Sequence, residues 1–275
     1  MAVERAAPSR SHFLNRLSTP RRSIPAWLRL SSGIGFAASL LAGWSLLTYG
    51  GFTDTTFFPM PHEVLTGFWR TLMNGTLLWH VWSSLLVINI GFLLSSICAV
   101  PLGILMGSYR IVQSTLEPVV NFIRYLPVTS MIPLLILWVG IGFNEKIAVI
   151  FIGTFFQQIV MVADTSAQVQ NEMFNAAYTL GASRWQVLTR VLLPACMPGV
   201  MDTLRVTMGW AWTYLVVAEI VGSNAGLGYM SMQAMRGLHA DLIFVAILVI
   251  GILGMITDQI FKYLKLRLLP WAEQR

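Results

Sequence analysis

Long apolar runs separated by short polar segments dominate the chain. A helix that crosses a bilayer needs about 20 consecutive, mainly apolar residues, and six stretches of this sequence are long enough to cross with some tilt. The pattern predicts an all-α integral membrane protein with about six transmembrane helices, near residues 33–50, 81–107, 115–140, 146–168, 196–221 and 241–262. Because the number of crossings is even, both termini are expected on one side of the membrane.

One polar segment precedes this membrane domain and another follows it. Residues 1–30 are basic and broken by Pro8, Pro20 and Pro25, which predicts an N-terminal tail, and residues 269–275 are expected to form a C-terminal tail. The apolar run after residue 32 is long for a secretory core and lacks a clear cleavage site, so it is interpreted as a first, uncleaved span. The membrane domain is expected over residues 31–268, with the turn-rich, aromatic segment 51–80 at the outer surface.

Composition excludes a soluble protein. The 275 residues are 56% hydrophobic and 11% charged, whereas about a quarter of the residues of a soluble domain are charged. Cys98 and Cys196 lie far apart in apolar stretches and are expected to be small buried residues. Neither the cysteines nor the four histidines have ligand spacing, so neither a disulfide framework nor a metal site is predicted.

The basic residues predict the orientation. They give a net charge of +6, but they are dispersed rather than arranged in a stripe with aromatic residues, so nucleic acid is not an expected partner. Loops rich in Lys and Arg are retained in the cytoplasm. One side carries the N-terminal tail, Arg110, Arg184, Arg190, Lys262, Lys265, Arg267 and Arg275, and the other carries only Arg70, Lys146 and Arg236. Both termini and the loop 169–194 are therefore expected to be cytoplasmic.

The loop 169–194 contains the most informative pattern in the chain. It reads Asn175-Ala176-Ala177, three residues, Gly181-Ala182-Ser183, and then Val191-Leu192-Leu193-Pro194. This resembles the EAA motif of ABC importer permeases, in which EAA is followed by three residues, G, nine residues and I-x-L-P. Small residues allow a short helix to approach a partner closely, and Pro194 is expected to end this amphipathic segment and begin the next span. Asn175 stands where the family has Glu.

Further segments narrow the resemblance to permeases of the nitrate, sulfonate, taurine and bicarbonate type. They include residues 59–65, 102–107, 136–142, 217–220 and 226–229, whereas residues 123–128 depart from the family pattern because Tyr125 replaces a proline.

The resemblance implies a type I ABC importer permease fold with a cytoplasmic coupling helix in a bacterial inner membrane. It also implies a second permease copy, forming a homodimer, two ATP-binding subunits that hold ATP and Mg, and a periplasmic substrate-binding protein. ATPase coupling is then assigned to Asn175, Ala176, Ala177, Gly181, Ala182, Ser183 and Pro194. Independently, the phosphate-binding loop of an ATPase requires the sequence Gly-Lys-Ser/Thr, whereas Lys146, Lys262 and Lys265 each follow a residue other than glycine. This chain is therefore not expected to be an enzyme or to hold a cofactor.

Polar residues within the spans suggest a path for a small, anionic solute. Ionisable side chains are costly in a membrane and usually face a bundle interior or a water-filled path. Arg124 has no acidic residue three or four positions away, so it either pairs across helices or offers positive potential to an anion. The candidate pathway comprises Arg124, Thr129, Ser130, Gln157, Gln158, Trp210 and Trp212. The alternative is that these side chains hold helices together.

The remaining charged residues are expected to be structural. Asp202 and Arg205 are three positions apart and are predicted to pair, as are Asp258 and Lys262, which are one helical turn apart. Glu219 would repel an anion and is expected to make interhelical contacts. Two other functions stay open from the sequence: a secondary transporter or channel without an ATPase partner, and a membrane scaffold. No catalytic motif suggests an enzyme.

Overall fold

The computed structural model describes residues 25–274, and regular secondary structure within them is entirely helical. Most of the predicted N-terminal tail lies outside the described residues, as does Arg275. The helices are α1 (Ala26–Tyr49), α2 (Pro61–Met73), α3 (Thr76–Ser108), α4 (Arg110–Arg124), α5 (Val128–Val139), α6 (Phe143–Ala167), α7 (Asn171–Thr179), α8 (Arg184–Val187), α9 (Leu193–Gly222), α10 (Leu227–Arg236) and α11 (Ala240–Leu268). A π-helical turn, Leu188–Leu192, joins α8 to α9, and a 3₁₀ turn, Pro270–Gln274, follows α11.

The chain divides after Pro61 into two compact units. The first contains α1, which is long and apolar enough to cross a membrane. Beyond α1 the chain turns back, and the indole nitrogen of Trp44 donates a hydrogen bond of 3.0 Å to the carbonyl oxygen of Pro59. An interfacial tryptophan with a paired N–H is typical of a span that ends near the membrane surface.

The second unit is built around α3, α6 and α9, with the most extensive packing between α3 and α6. Glycines on α3 permit this approach: a Cβ on Gly103 would lie 2.7 Å from Cβ of Val162. Within a membrane no hydrophobic effect drives helices together, so the close van der Waals packing that small residues permit stabilises such crossings. Buried apolar side chains from all three helices form one core, consisting of Val87, Ile88, Phe92, Ile150, Met208, Ala211, Trp212 and Leu215.

The multi-pass, all-α fold is confirmed, but the bounds of the spans differ from the prediction. Five helices of the described chain are long and apolar enough to cross a membrane, or six if α4 and α5 together form one bent span. The predicted third span, 115–140, is therefore not one helix, because α4 and α5 meet at 95°. Pro127 is extended (φ −65°, ψ 110°) at the break, and a proline restricts the preceding residue to non-helical conformations.

Two further expectations need correction. The fifth predicted span does not begin at Pro194, since the helical chain runs without interruption from Arg184 to Gly222. The intervening π turn accommodates the change in hydrogen bonding around a proline. Cys98 is exposed on α3 rather than buried, whereas Cys196 is buried as expected. The lipid-facing side of a membrane helix is apolar like its buried side, so a small cysteine is tolerated on both.

Candidate functional site

The residues with the EAA-like pattern lie on a short, exposed helix and the turn that follows it. Asn175, Ala176 and Ala177 belong to α7, in which no residue is fully buried. Gly181 has a φ of +79°, a left-handed conformation that favours glycine. Its N–H donates to the carbonyl of Tyr178 at 2.9 Å, and the N–H of Ala182 donates to that of Ala177 at 3.0 Å. These two bonds are the Schellman pattern, which ends a helix and reverses the chain.

The next helix begins immediately after this reversal. The Ser183 hydroxyl accepts a hydrogen bond of 3.3 Å from the N–H of Gln186, and the Gln186 side chain accepts one of 2.7 Å from the N–H of Ser183. This reciprocal capping box fixes where α8 starts. Six of the seven predicted coupling residues therefore lie within one helix, turn and helix start. Pro194 lies further along, where its carbonyl accepts a hydrogen bond of 3.1 Å from the Trp271 indole.

Large apolar side chains are exposed around this turn. Leu180 is 87% exposed and Trp185 is 70% exposed, while Phe174 anchors α7 by packing against the cluster that includes Ile104, Leu192 and Cys196. Exposed apolar side chains beside a capped, rigid turn form a surface suited to contact with another protein. We call residues 171–185 the coupling turn.

A second feature is a cavity of about 320 Å³ where α4, α5, α6 and α9 meet. Arg124, Thr129 and Gln157 line it, as the candidate pathway requires, together with Tyr125 and Tyr214. The Arg124 guanidinium lies over the Tyr125 ring at 4.8 Å and donates to the tyrosine hydroxyl at 3.1 Å. Its Nε is buried without a hydrogen-bond partner, and no carboxylate in the described part of the chain forms an ion pair with it. This cavity thus holds positive charge that the protein leaves uncompensated.

The other candidate pathway residues lie outside this cavity. Ser130 is exposed on α5 and Trp210 is 37% exposed on α9. Gln158 is fully buried between helices, where it accepts from Ser95 at 3.1 Å and donates to Ser96 and Thr207 at 3.2 Å. Trp212 is buried in the core and donates to Thr257 at 3.3 Å. Gln158 and Trp212 therefore connect helices in this conformation.

Tyr214 lines the cavity although it is not among the residues predicted from the sequence. Tyr214 lies one helical turn after Trp210, and side chains four positions apart share a helix face. It packs so closely on α6 that a Cβ on Gly153 would lie 2.6 Å from its ring. Gly153 on α6 is the matching signal in the sequence, because a glycine among bulky apolar residues leaves room for an aromatic ring from a neighbouring helix.

More of the ion pairs connect two different helices than the sequence predicted. The expected pair of Asp258 with Lys262 is confirmed at 2.6 Å. The expected pair of Asp202 with Arg205 is wrong: Asp202 pairs with Lys265 at 2.5 Å, and Arg205 pairs with Asp258 at 3.2 Å. Both residues of α9 face α11, which supplies partners of opposite charge. These bridges therefore tie the first half of α9 to the second half of α11.

A buried polar cluster occupies the opposite end of α9. Glu219 is fully buried and accepts hydrogen bonds from the Ser84 hydroxyl at 2.7 Å and from the N–H of Gly228 at 2.8 Å. This agrees with the expected interhelical role. Lys146, which was treated as an exposed loop charge in the orientation argument, is instead buried in the first turn of α6 and donates to Ser223 at 2.9 Å. A membrane-buried ammonium is retained when a polar partner is available.

The fold and the exposed α7 define a class of protein, a multi-pass, all-α membrane protein with a short helix and turn exposed between two of its long helices. Comparison with known proteins identifies the family. The model of the binding-protein-dependent transport system inner membrane component matches residues 99–270, and the chain belongs to this family of ABC transporter permeases.

Individual relatives agree with this assignment. A probable ABC transporter permease protein of Brucella abortus (strain 2308) is 36% identical over 88% of this chain and 95% of its own length. The taurine transport system permease protein TauC of Escherichia coli (strain K12) is 31% identical over 90% of this chain and 92% of its own. Among solved structures, an inward-facing form of the MetNI methionine ABC transporter matches with a TM-score of 0.58 at 21% identity, covering 70% of this chain and 97% of that chain. The type I importer permease fold is therefore confirmed, and the relatives are permease subunits rather than enzymes.

Proposed function

We propose that the chain is the membrane-spanning subunit of an ATP-driven importer that moves a small anionic solute of the sulfonate, taurine, nitrate or bicarbonate class into the cytoplasm. The solute arrives on a periplasmic binding protein. Two copies of the chain form the path, and two partner ATPase subunits bind ATP and Mg. The complex lies in a bacterial inner membrane, with both termini of this chain in the cytoplasm.

The coupling turn is the observation that carries this proposal. The coupling turn contains a helix without fully buried residues, which a left-handed glycine ends and a capped helix follows. It projects from a protein whose other exposed helix faces are largely apolar. A secondary transporter has no use for such a projection. Movement of this turn by an ATPase dimer would be transmitted along the continuous helix from Arg184 to Gly222, which packs on α6 and lines the cavity through Tyr214. Alternating access needs two arrangements of these helices, selected by the nucleotide state of the partner.

The cavity supports an anionic solute. Its one charged lining residue among those the structure describes is Arg124, and hydroxyl and amide groups of Thr129, Gln157 and Tyr214 provide neutral donors. A carboxylate in the same place would repel an anion. The relatives of the chain include a taurine transport system permease protein, and taurine has a sulfonate group of the size that this cavity admits.

The deciding experiment is ATP hydrolysis by the assembled complex in lipid nanodiscs. The permease, its ATPase and its binding protein are assayed with nitrate, bicarbonate, taurine, alkanesulfonates and neutral amines. We expect one anionic solute to stimulate hydrolysis only when the binding protein is present. An intact complex that no solute stimulates, or one that transports solute without ATP, would contradict the proposal, and the second result would establish the secondary transporter instead.

A further inference from the structure

A separate cavity of about 330 Å³ lies behind the coupling turn. Its walls come from four places: α7, the junction between α3 and α4, the C-terminal end of α6, and the helix that begins at Arg184. Phe174 and Leu192 form part of an apolar wall, and Tyr109, Asn171, Tyr178 and Arg184 contribute polar groups. The volume is at the lower end of the range of small-molecule sites, which is roughly 300–1,000 Å³.

Four polar side chains of this cavity have no partner among the described residues, whereas Ser108 and Ser166, which also line it, bond to each other and to the carbonyl of Ile104. Within residues 25–274, the side chains of Tyr109, Asn171, Tyr178 and Arg184 form no hydrogen bond or ion pair. No Asp or Glu is among the described residues that line the cavity. The site therefore offers one guanidinium, two phenol hydroxyls and an amide, with no negative charge to compensate them. A guanidinium with neighbouring hydroxyl donors is suited to a carboxylate, sulfonate or phosphate group.

The geometry points to a regulatory site: we propose that this cavity binds a small organic anion with a short apolar body, and that the bound anion restrains the coupling turn. The second half of this proposal rests on the proposed function, because it assigns the coupling turn to ATPase contact. An anion held by Arg184, Tyr178 and Tyr109 would connect the two arms of the turn to the α3–α4 junction. It would stabilise one arrangement of the turn, and a cycle that needs two arrangements would slow.

The site and an ATPase can be occupied at the same time. Asn171, Phe174 and Tyr178 line the cavity and recur at the spacing of one helix face. At 100° per residue, Glu172, Met173 and Ala176 lie on the opposite face of α7, and all three are exposed. The face of α7 opposite the cavity therefore stays open to a partner, and the proposal places the effect of the anion in the position of α7.

The test uses the permease–ATPase complex in nanodiscs, without binding protein, and 1-butanesulfonate as the probe. Equal concentrations of 1-butanol and butyltrimethylammonium control for the apolar chain and for ionic strength. We expect 1-butanesulfonate to raise the thermal midpoint of the complex and to lower basal ATP hydrolysis with one saturable midpoint. Arg184→Gln should raise that midpoint concentration by about tenfold or more, as expected for loss of a charge-assisted hydrogen bond.

Two variants complete the design. Arg190→Gln removes an exposed arginine of the same segment that does not line the cavity, and its midpoint should stay within about twofold of the unmodified complex, since surface charges away from a site contribute little. Tyr178→Phe keeps the ring and removes one hydroxyl, so it tests the site even if Arg184→Gln fails to assemble. Equal midpoints in the unmodified, Arg184→Gln and Tyr178→Phe complexes, or an equal response to 1-butanol, would overturn the inference. Failure of the proposed function is distinguishable: without an ATPase partner the hydrolysis readout is lost, whereas 1-butanesulfonate should still raise the thermal midpoint of the permease alone, and Arg184→Gln should still weaken that effect.

Discussion

At the scale of single residues, Gly181 shows how one backbone angle determines the shape of the coupling turn. Its φ of +79° places it where a side chain costs roughly 1–2 kcal/mol, and β-branched residues almost never occur there. A Cβ at this position would meet no atom within 4 Å. The glycine is therefore required by backbone conformation and not by packing.

Gly181→Val should leave the permease folded and uncouple it. The strained φ would open the Schellman turn and displace α7 from α8, so we expect solute-stimulated ATP hydrolysis to fall by about tenfold or more, with expression and thermal midpoint nearly unchanged. Gly251→Val is the matched control, because Gly251 is a helical residue whose Cβ would also meet nothing within 4 Å. Normal coupling in Gly181→Val would count heavily against the role assigned to the turn.

Arg124 gives the second prediction at this scale. Arg124→Gln removes the uncompensated charge of the cavity between α4, α5, α6 and α9, and uptake of the anionic solute into proteoliposomes should fall by about tenfold. Arg124→Lys should retain part of the activity, since it keeps the charge but loses the planar donor array. Arg110→Gln, at the exposed start of the same helix, serves as the control. An unchanged uptake rate in Arg124→Gln would remove this residue from the pathway.

At the scale of elements, the contact between α3 and α6 supports the cavity and the coupling turn alike. The two helices approach closely at Gly91 and Gly103, where a Cβ would lie 2.9 Å from Ile150 and 2.7 Å from Val162. Gln158 fills the polar gap between them by bonding to Ser95 and Ser96. Because α6 also lines the cavity, a change at this contact would alter the path as well as stability.

Gly103→Ala tests that contact. The added methyl group meets Val162 and the carbonyl of Ile159, and such overpacking costs about 1–3 kcal/mol. The thermal midpoint of the purified permease should therefore fall. Gly209→Ala adds the same group to a helical position where it would meet nothing within 4 Å, so its midpoint should be unchanged or higher, because alanine is the better helix former. Equal midpoints for the two variants would show that α3 and α6 are less closely packed.

The elements also show what the sequence can and cannot predict. The apolar runs located five spans, since a membrane helix must satisfy its backbone internally and needs a fixed length. The small-residue pattern predicted a short amphipathic helix, which is present as α7, but not the reversal at Gly181 that divides the predicted segment. The 95° break between α4 and α5 was not predicted. Pro101 and Pro133 lie inside continuous helices, and nothing in the sequence around Pro127 indicates that this proline, unlike those two, ends a helix. The partners of Asp202 and Arg205 also depend on α11, which sequence spacing cannot place.

At the scale of the whole molecule, the bent pair determines the topology. If α4 and α5 together cross the membrane, the chain has six spans, and the basic loops fall on one side as the positive-inside rule requires. If they re-enter on the same side, there are five spans and the two termini lie on opposite sides. The burial of Lys146 removes one residue from the orientation count without changing which side carries more basic charge.

Cysteine accessibility distinguishes these two topologies. In a background with Cys98 and Cys196 replaced by serine, Ser114→Cys on α4 and Asn144→Cys at the start of α6 each place one thiol at an exposed position. A membrane-impermeant maleimide applied to spheroplasts should label Asn144→Cys at once and Ser114→Cys only after the membrane is permeabilised. That result follows if the bent pair crosses, since the two positions then lie on opposite sides. Labelling of both thiols from the same side would establish a re-entrant pair and five spans, and the C-terminal basic residues would have to be reassigned.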